Sequence, residues 1–585
     1  MMRLFLSLLL IAIYAGYVSS RHGGIRSARS ASVEPHRSNG QCPTTLSVST
    51  TRQVASQFSG LWDIQQTGSR RILDASEKDL VELRVVVWEE AQLMELHELE
   101  SNGVVTLQHD GIANRELQSR PELTFSNFTC YRTVEQIMTT MDTLQDNYPD
   151  FVNVTSIGKS WRKTTQQGGH DIKVMVLSAP SDVVQKETMM VIGGHHSREL
   201  APPETILRWV EHMLSNYGTD TDITWILNRT NIHIVPLANP DGREIVQEHF
   251  DWYYRKNAHS AGCDNKWRDG IDLNRNYPMW FRHENTDVKD DPCKSSYSGK
   301  SALSEPESNA IYNYIHDMFP SGNKRGETAA IAESKATEAC PDDTRGVLLD
   351  VHAPGDFVYF PWGHDDILSP NHLSLLTMAA KLAKAGNYTL WGPGQDDFKY
   401  FVGGDATDAA YGMDCVASFG FELGRTFYEP CDVLESDILP VTFQNLLYAA
   451  KTARAPYQIP LGPDILQIRI DDFSDPEYIE VMAKVSDDAM IVDHAKFPEG
   501  QRKRHPIATV ELFMDVHPDD EEAQENRIAM QPDDGGTFGD RTFEVAAYTL
   551  DTTSWDVDEQ HTLYIRATDA ANHTGPVSAV FVVKS

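Results

Sequence analysis

From Cys130 onward, short apolar runs alternate with stretches whose apolar positions recur every three or four residues. The runs are 172–177 (IKVMVL), 189–192 (MMVI), 232–237 (IHIVPL), 346–351 (GVLLDV) and 416–423 (VASFGFEL). Each has the length and continuity of a strand covered on both faces. Helical spacing holds over 133–148, where Ile137, Met138, Met141 and Leu144 share a face, and over 203–216 and 305–319. The last of these opens with Ser304-Glu305-Pro306-Glu307, which reads as a capping box with proline in the first turn. This alternation predicts an α/β domain around a largely buried mixed sheet.

The pattern differs at both ends. Residues 80–88 (LVELRVVVW) and 103–108 (GVVTLQ) are strand-like and flank a helical stretch, EEAQLMELHELE. That is a small α+β unit, expected to be a prosegment, with an additional N-terminal domain as the plainer alternative. Residues 21 to about 60 have little periodicity and are expected to be loosely packed. Beyond residue 464, short strands such as ILQIRI, YIEVMAKV, ATVELFMDV, TFEVAAYTL, HTLYIRA and VSAVFVV follow one another without a long helix. They predict an all-β, immunoglobulin-like sandwich.

The first twenty residues, MMRLFLSLLLIAIYAGYVSS, read as a secretory signal. No later stretch reads as a membrane span or lipid-anchor tail. The expected order is signal peptide (1–20), prosegment (21–125), α/β domain (126–457) and β-sandwich (458–585), in a secreted protein.

Composition is that of a globular protein, 41% hydrophobic and 23% charged. The formal net charge of −34 argues against nucleic acid as a partner. Seven cysteines in an oxidising compartment call for pairing, and loss of Cys42 with a prosegment would leave six. Proximity favours Cys263–Cys293 and Cys415–Cys431, which leaves Cys130–Cys340. Asn127, Asn153, Asn228, Asn387 and Asn572 begin glycosylation sequons.

Several predicted strands end in reactive residues, where open α/β sheets gather their ligands. The run at 189–192 leads to His196, Arg198 and Glu199; 232–237 leads to Asn239 and Asp241; 346–351 delivers His352; and 416–423 contains Glu422. His196 and Glu199, three apart, suit zinc, but His-x-x-Glu alone is a weak signal. An acid inside an apolar run, as Glu422 is, needs a partner or a task.

These stretches carry a resemblance. GGHHSRE (193–199), NPDG (239–242), YRKN (254–257), DLNRN (272–276), YSGKSALSEPE (297–307), DVHAPGDFVYFPWG (350–363) and FELG (421–424) resemble, in order and spacing, the secreted zinc carboxypeptidases of the carboxypeptidase A/B family. The resemblance runs from about Cys130 to Tyr457, and the segment after FELG, with its β-sandwich tail, is most similar to bacterial-type members. It implies a mixed eight-stranded-type sheet flanked by helices and one zinc ion held by His196, Glu199 and His352. It implies Glu422 as general base and then acid, and Arg255 as oxyanion stabiliser. Arg198, Asn274, Arg275 and the mobile Tyr400 would bind a substrate carrying a free C-terminal carboxylate, while Asp272 would orient His196.

The implied activity is hydrolysis of the C-terminal peptide bond of peptides and proteins by a monomer. The alternative is a related metallohydrolase of cell-wall peptides or polyglutamate side chains; a non-catalytic binding protein is a third reading. His195 is read as a decoy for His196, and His364 with Asp365 and Asp366 as a solvated loop. Pro354 departs from the tyrosine often found two residues after the last zinc histidine. Tyr359, Gly363, Val402, Asp405 and Thr407 are the expected pocket walls, which leaves apolar and basic C-terminal residues both open.

Overall fold

The computed structural model describes five N-terminal strands between Thr44 and His109 as backbone. It then describes residues 129–584, apart from 250–253, 285–289, 320–323, 387, 391, 393–400, 473–476 and 489–503. The expected signal peptide, Cys42 and the helical stretch at 89–100 lie outside the described residues. The chain divides into two compact units, Met1–Glu122 and Leu123–Ser585.

In the first unit the strands are β1 (Thr44–Thr51), β2 (Asp63–Gln65), β3 (Arg71–Leu73), β4 (Asp79–Val87) and β5 (Thr106–His109). They form an antiparallel sheet in the order β2-β4-β1-β5, with β3 also on β4.

The second unit contains an eight-stranded mixed sheet. Its strands are β6 (Val152–Lys159), β7 (Asp171–Leu177), β8 (Glu187–Gly193), β9 (Thr230–Val235), β10 (Val347–His352), β11 (Phe357–Tyr359), β12 (Thr389–Leu390) and β13 (Ala417–Glu422). The spatial order is β12-β11-β13-β10-β8-β9-β7-β6, and β13, β10, β8 and β9 run parallel at the centre. β10 is buried along its whole length and β13 over its first five residues. That explains their unbroken apolar runs. Helices α1 (Val134–Asn147), α2 (Ala201–Asn216), α3 (Thr221–Arg229), α4 (Pro240–His249), α5 (Pro306–Met318), α6 (His372–Gly386), α7 (Ala406–Asp414) and α8 (Leu439–Thr452) accompany the sheet. Among the described residues no helix is long and apolar enough to cross a membrane.

Two local expectations are corrected. At α5 the N-cap is Glu305, without a side-chain capping bond. Its carboxylate instead accepts from Asn257 Nδ2 at 2.8 Å and faces His259 Nδ1, so a tertiary network has replaced the local box. The disulfides are Cys263–Cys293, as expected, but also Cys130–Cys431 and Cys340–Cys415. Cys415 and Cys431, close in sequence, lie beyond opposite ends of β13, whose six residues span about 20 Å. Sequence proximity therefore points to the wrong partner.

The C-terminal strands form two antiparallel four-stranded sheets. One orders β14 (Asp464–Asp472), β15 (Tyr478–Ser486), β19 (Phe543–Asp551) and β18 (Gln531–Pro532). The other orders β17 (Arg527–Ala529), β16 (Ile507–Met514), β20 (Gln560–Asp569) and β21 (Ser578–Val583). Alternate residues such as Val481, Val485, Val510, Leu512 and Ile565 fill a shared core. These sheets are fastened to the helices beside them. Asp222 of α3 accepts from Ala579 N at 3.0 Å, and Lys381 of α6 pairs with Asp464 at 2.6 Å.

Candidate active site

Three parallel strand ends build the site. β8 ends at Gly193, and the turn through Gly194 lifts His195 and His196 above the sheet edge. Gly194 has φ +69°, and a Cβ on Gly193 would stand 2.6 Å from Ile206 Cδ1, so the pair meets both a backbone and a space requirement. β10 and β13 run in register, which sets His352 directly opposite Glu422. Segment 254–257 is held against this edge by Ser197, whose Oγ donates to Tyr254 O at 2.6 Å.

His196, Glu199 and His352 converge although far apart in sequence. His196 Nδ1 is 2.7 Å from Glu199 Oε1, His352 Nδ1 is 3.0 Å from Glu199 Oε2, and the two Nδ1 atoms are 3.1 Å apart. Donor atoms about 2.0–2.1 Å from one tetrahedral ion are about 3.3 Å apart, so the trio fits zinc. The far side of each ring also fits. His196 Nε2 is 3.2 Å from Asp272 Oδ1 and His352 Nε2 is 2.8 Å from Asp350 Oδ2. Each carboxylate holds a proton on the outer nitrogen and leaves the inner one as a ligand.

The charges are unevenly tuned. Burial would raise the Glu199 carboxyl, but His196 and His352 outweigh it and hold the group well below its ordinary range. Burial likewise opposes ionisation of Asp272, yet Arg255 and His196 keep it ionised. Burial would lower His352, whereas Asp350 and Glu199 push it well above the usual imidazole range. Glu422 goes the other way. Burial and the neighbouring Glu199 raise it to about 8, a carboxyl poised near neutrality. Gly355 packs closely against it, since a Cβ there would lie 2.7 Å from Glu422 Cβ.

The remaining sequence candidates occupy distinct positions. Arg255 donates through Nε to Asp272 Oδ2 at 2.9 Å and carries Nη1 to 3.9 Å from Glu199 Oε1. Asp272 thus ties this arginine to His196. Asn274 turns its Nδ2 toward Asp350 Oδ2 at 3.0 Å and His352 Nε2 at 2.8 Å, while its Oδ1 accepts from Ala406 N. Arg275 donates from Nη1 to Asn274 O. The Arg198 guanidinium lies 4.1 Å over the Phe427 ring. Tyr400 lies outside the described residues.

His195 is fully committed elsewhere, to Asp350 Oδ1 and to Tyr277 Oη, each at 2.8 Å. That engagement takes both its nitrogens from the trio, although His195, Asp350 and His352 also cluster. His364 departs from the solvated-loop expectation: it is 3% exposed and stacks on Trp280 at 3.8 Å. Gly363, Val402 and Asp405 adjoin, with Asp405 Oδ2 3.6 Å from where a Gly363 Cβ would stand. The Thr407 hydroxyl donates to Oδ1 of Asp405, the N-cap of α7. Asp350 had no assigned role from sequence. Its signal was present in Asp-x-His at strand period, which places both side chains on one face.

A profile of the zinc carboxypeptidase family matches residues 137–446, more than half of the chain. The chain belongs to that family. It is a metallocarboxypeptidase, a hydrolase that uses one zinc ion and acts at peptide C-termini. As a zinc carboxypeptidase it is 26% identical over 335 residues to carboxypeptidase A2 of Mus musculus, covering 56% of this chain and 71% of the relative. It is 24% identical over 353 residues to carboxypeptidase B of Helicoverpa zea, covering 56% and 74%. The crystal structure of carboxypeptidase A from Helicoverpa armigera aligns at 21% identity with TM-score 0.47, over 71% of this chain and 98% of that one.

Proposed function

We propose that His196, Glu199 and His352 hold the zinc, and that Glu422 is the proton carrier of C-terminal peptide hydrolysis. Zinc bound there supplies Lewis acidity for the scissile carbonyl and for water. Glu422 takes a proton from the attacking water and returns it to the leaving amine. Arg255, steadied by Asp272, meets the negative charge that grows on the carbonyl oxygen.

Arg275 pairs with the substrate's terminal carboxylate, for which a planar guanidinium is suited. Arg198 assists beside it, and Tyr400 closes over the substrate. Asn274 joins Arg275 in clamping that carboxylate, its amide held in place by donation to Asp350 Oδ2. Gly363, Val402 and Asp405 line the pocket for the last side chain. The enzyme is exported and its N-terminal unit is removed on activation, in keeping with three disulfides in the second unit.

The observation that carries this reading is the convergence of two imidazoles and Glu199, with Glu422 set opposite His352 on the adjoining strand. It is tested by digesting matched peptides with free and amidated C-termini and following products by mass spectrometry. Loss of single residues from the free-acid peptides alone is expected. Equal cleavage of both sets would overturn the reading.

A further inference from the structure

Outside the peptidase centre, two other groups of histidine and carboxylate side chains bring donor atoms together among the described residues. In the first, His170, Asp241 and Glu244, the cationic place is filled by Arg162. Its Nη1 donates to Glu244 Oε2 at 2.8 Å and its backbone N–H to Asp241 Oδ2 at 2.7 Å. The second group lies in the β-sandwich and consists of His505, Asp569 and His573, whose donor atoms all fall within 4.8 Å of one another.

We propose that His505, Asp569 and His573 bind a divalent transition-metal ion of the zinc type, as a clasp in the β-sandwich. Two imidazoles and a carboxylate are a donor set that zinc accepts readily, with water completing the coordination. Asp569 Oδ2 and His573 Nδ1 are 3.0 Å apart, close to the spacing of two ligands on one small ion.

The scaffold holds these donors before any ion arrives. Asp569 is fully buried, and its other oxygen accepts from Ala571 N and His573 N, both at 2.8 Å. The turn is closed by Asn572 N to Asp569 O and by Asp569 N to His573 O, each at 3.0 Å. Thr568 and Thr574 bridge its two arms. His505 arrives on a different segment, just before β16. Its backbone N–H donates to Asp487 Oδ2 at 2.8 Å, and the next residue, Pro506, accepts from Ala570 N at 2.9 Å. The His505 and His573 rings meet edge to face with centroids 5.7 Å apart. An ion here would add a side-chain clasp between the β20–β21 turn and the start of β16, beside the strand pairing that sets Ile507 opposite Asp569.

Metal content separates this site from the peptidase centre. The full chain, dialysed against low-micromolar zinc, is expected to retain two zinc ions. The His573→Ala variant should retain one, with its rate on a free-acid peptide unchanged. Cobalt titration of the intact chain covers the case in which that variant fails to fold. A second equivalent should bind, give its own visible ligand-field bands, and be lost in His505→Gln. One ion in the wild type, or a second ion that survives both substitutions, overturns the proposal. Failure of the peptidase reading would show instead as inactivity with the His573-dependent ion still bound.

Discussion

Asp350 bridges two histidines, with Oδ1 2.8 Å from His195 Nδ1 and Oδ2 2.8 Å from His352 Nε2. One buried acid therefore fixes both His352, the proposed ligand, and His195 just beyond the end of the adjoining strand. Asp350→Asn breaks this arrangement, because an amide nitrogen cannot accept from either ring. Zinc affinity should fall about 10–100-fold, read by competition with a chelator. In the wild type, affinity should also fall as pH drops. The raised His352 pKa means a proton occupies the imidazole until zinc expels it.

A different pH dependence is expected for stability. Burial raises Asp405, with Asp408 adding to it, and burial raises Asp408 itself; both reach about 7. Their folded-state pKa values lie above the unfolded 3.8, so the native state holds more protons between 3.8 and about 7. Stability is fully present below that window and falls as pH rises through it. Asp408→Asn should flatten this decline while its side-chain carbonyl still accepts from Gly363 N. Urea midpoints from pH 4 to pH 8, compared between wild type and variant, give the measurement. Equal slopes would show that these carboxyls do not carry the effect.

The β-sandwich should unfold with the catalytic core. Lys381, fully buried in α6, pairs with Asp464 at 2.6 Å and donates to Gly462 O at 2.8 Å. Tyr448 Oη holds the other Asp464 oxygen at 3.0 Å. Lys381→Met leaves a carboxylate buried at this joint and should cost about 3–5 kcal/mol. Chemical denaturation should then show a lower midpoint for the whole unit. A low-midpoint phase confined to the sandwich, with the catalytic core unaltered, would argue that the joint is not shared.

How far the sequence speaks depends on the range of the interaction. Strands 189–192 and 346–351 were legible because burial on both faces leaves continuous apolar runs. The pairing of His196 with Glu199 was visible as spacing, and His352 and Glu422 as reactive residues at strand ends, but the roles of all four came from the family motifs. Cys263–Cys293, 30 residues apart, was legible from proximity, but Cys130–Cys431 and Cys340–Cys415 were not, since Cys130 and Cys431 are 301 residues apart and meet only once the sheet is built. Ser304-x-x-Glu307 misled because a local capping signal lost to long-range bonds from Asn257 and His259. His364 misled for a related reason: its polar neighbours suggest solvent, while Trp280 and Trp362 enclose it.

The most direct test is the turnover of zinc-loaded Glu422→Gln on a free-acid peptide, with metal content measured in the same sample. Glutamine keeps the shape of the side chain and removes its proton traffic. Zinc occupancy should match the wild type while kcat falls about 10²–10⁴-fold. Activity within tenfold of the wild type at equal zinc would contradict the assignment of Glu422 as the group that carries the proton.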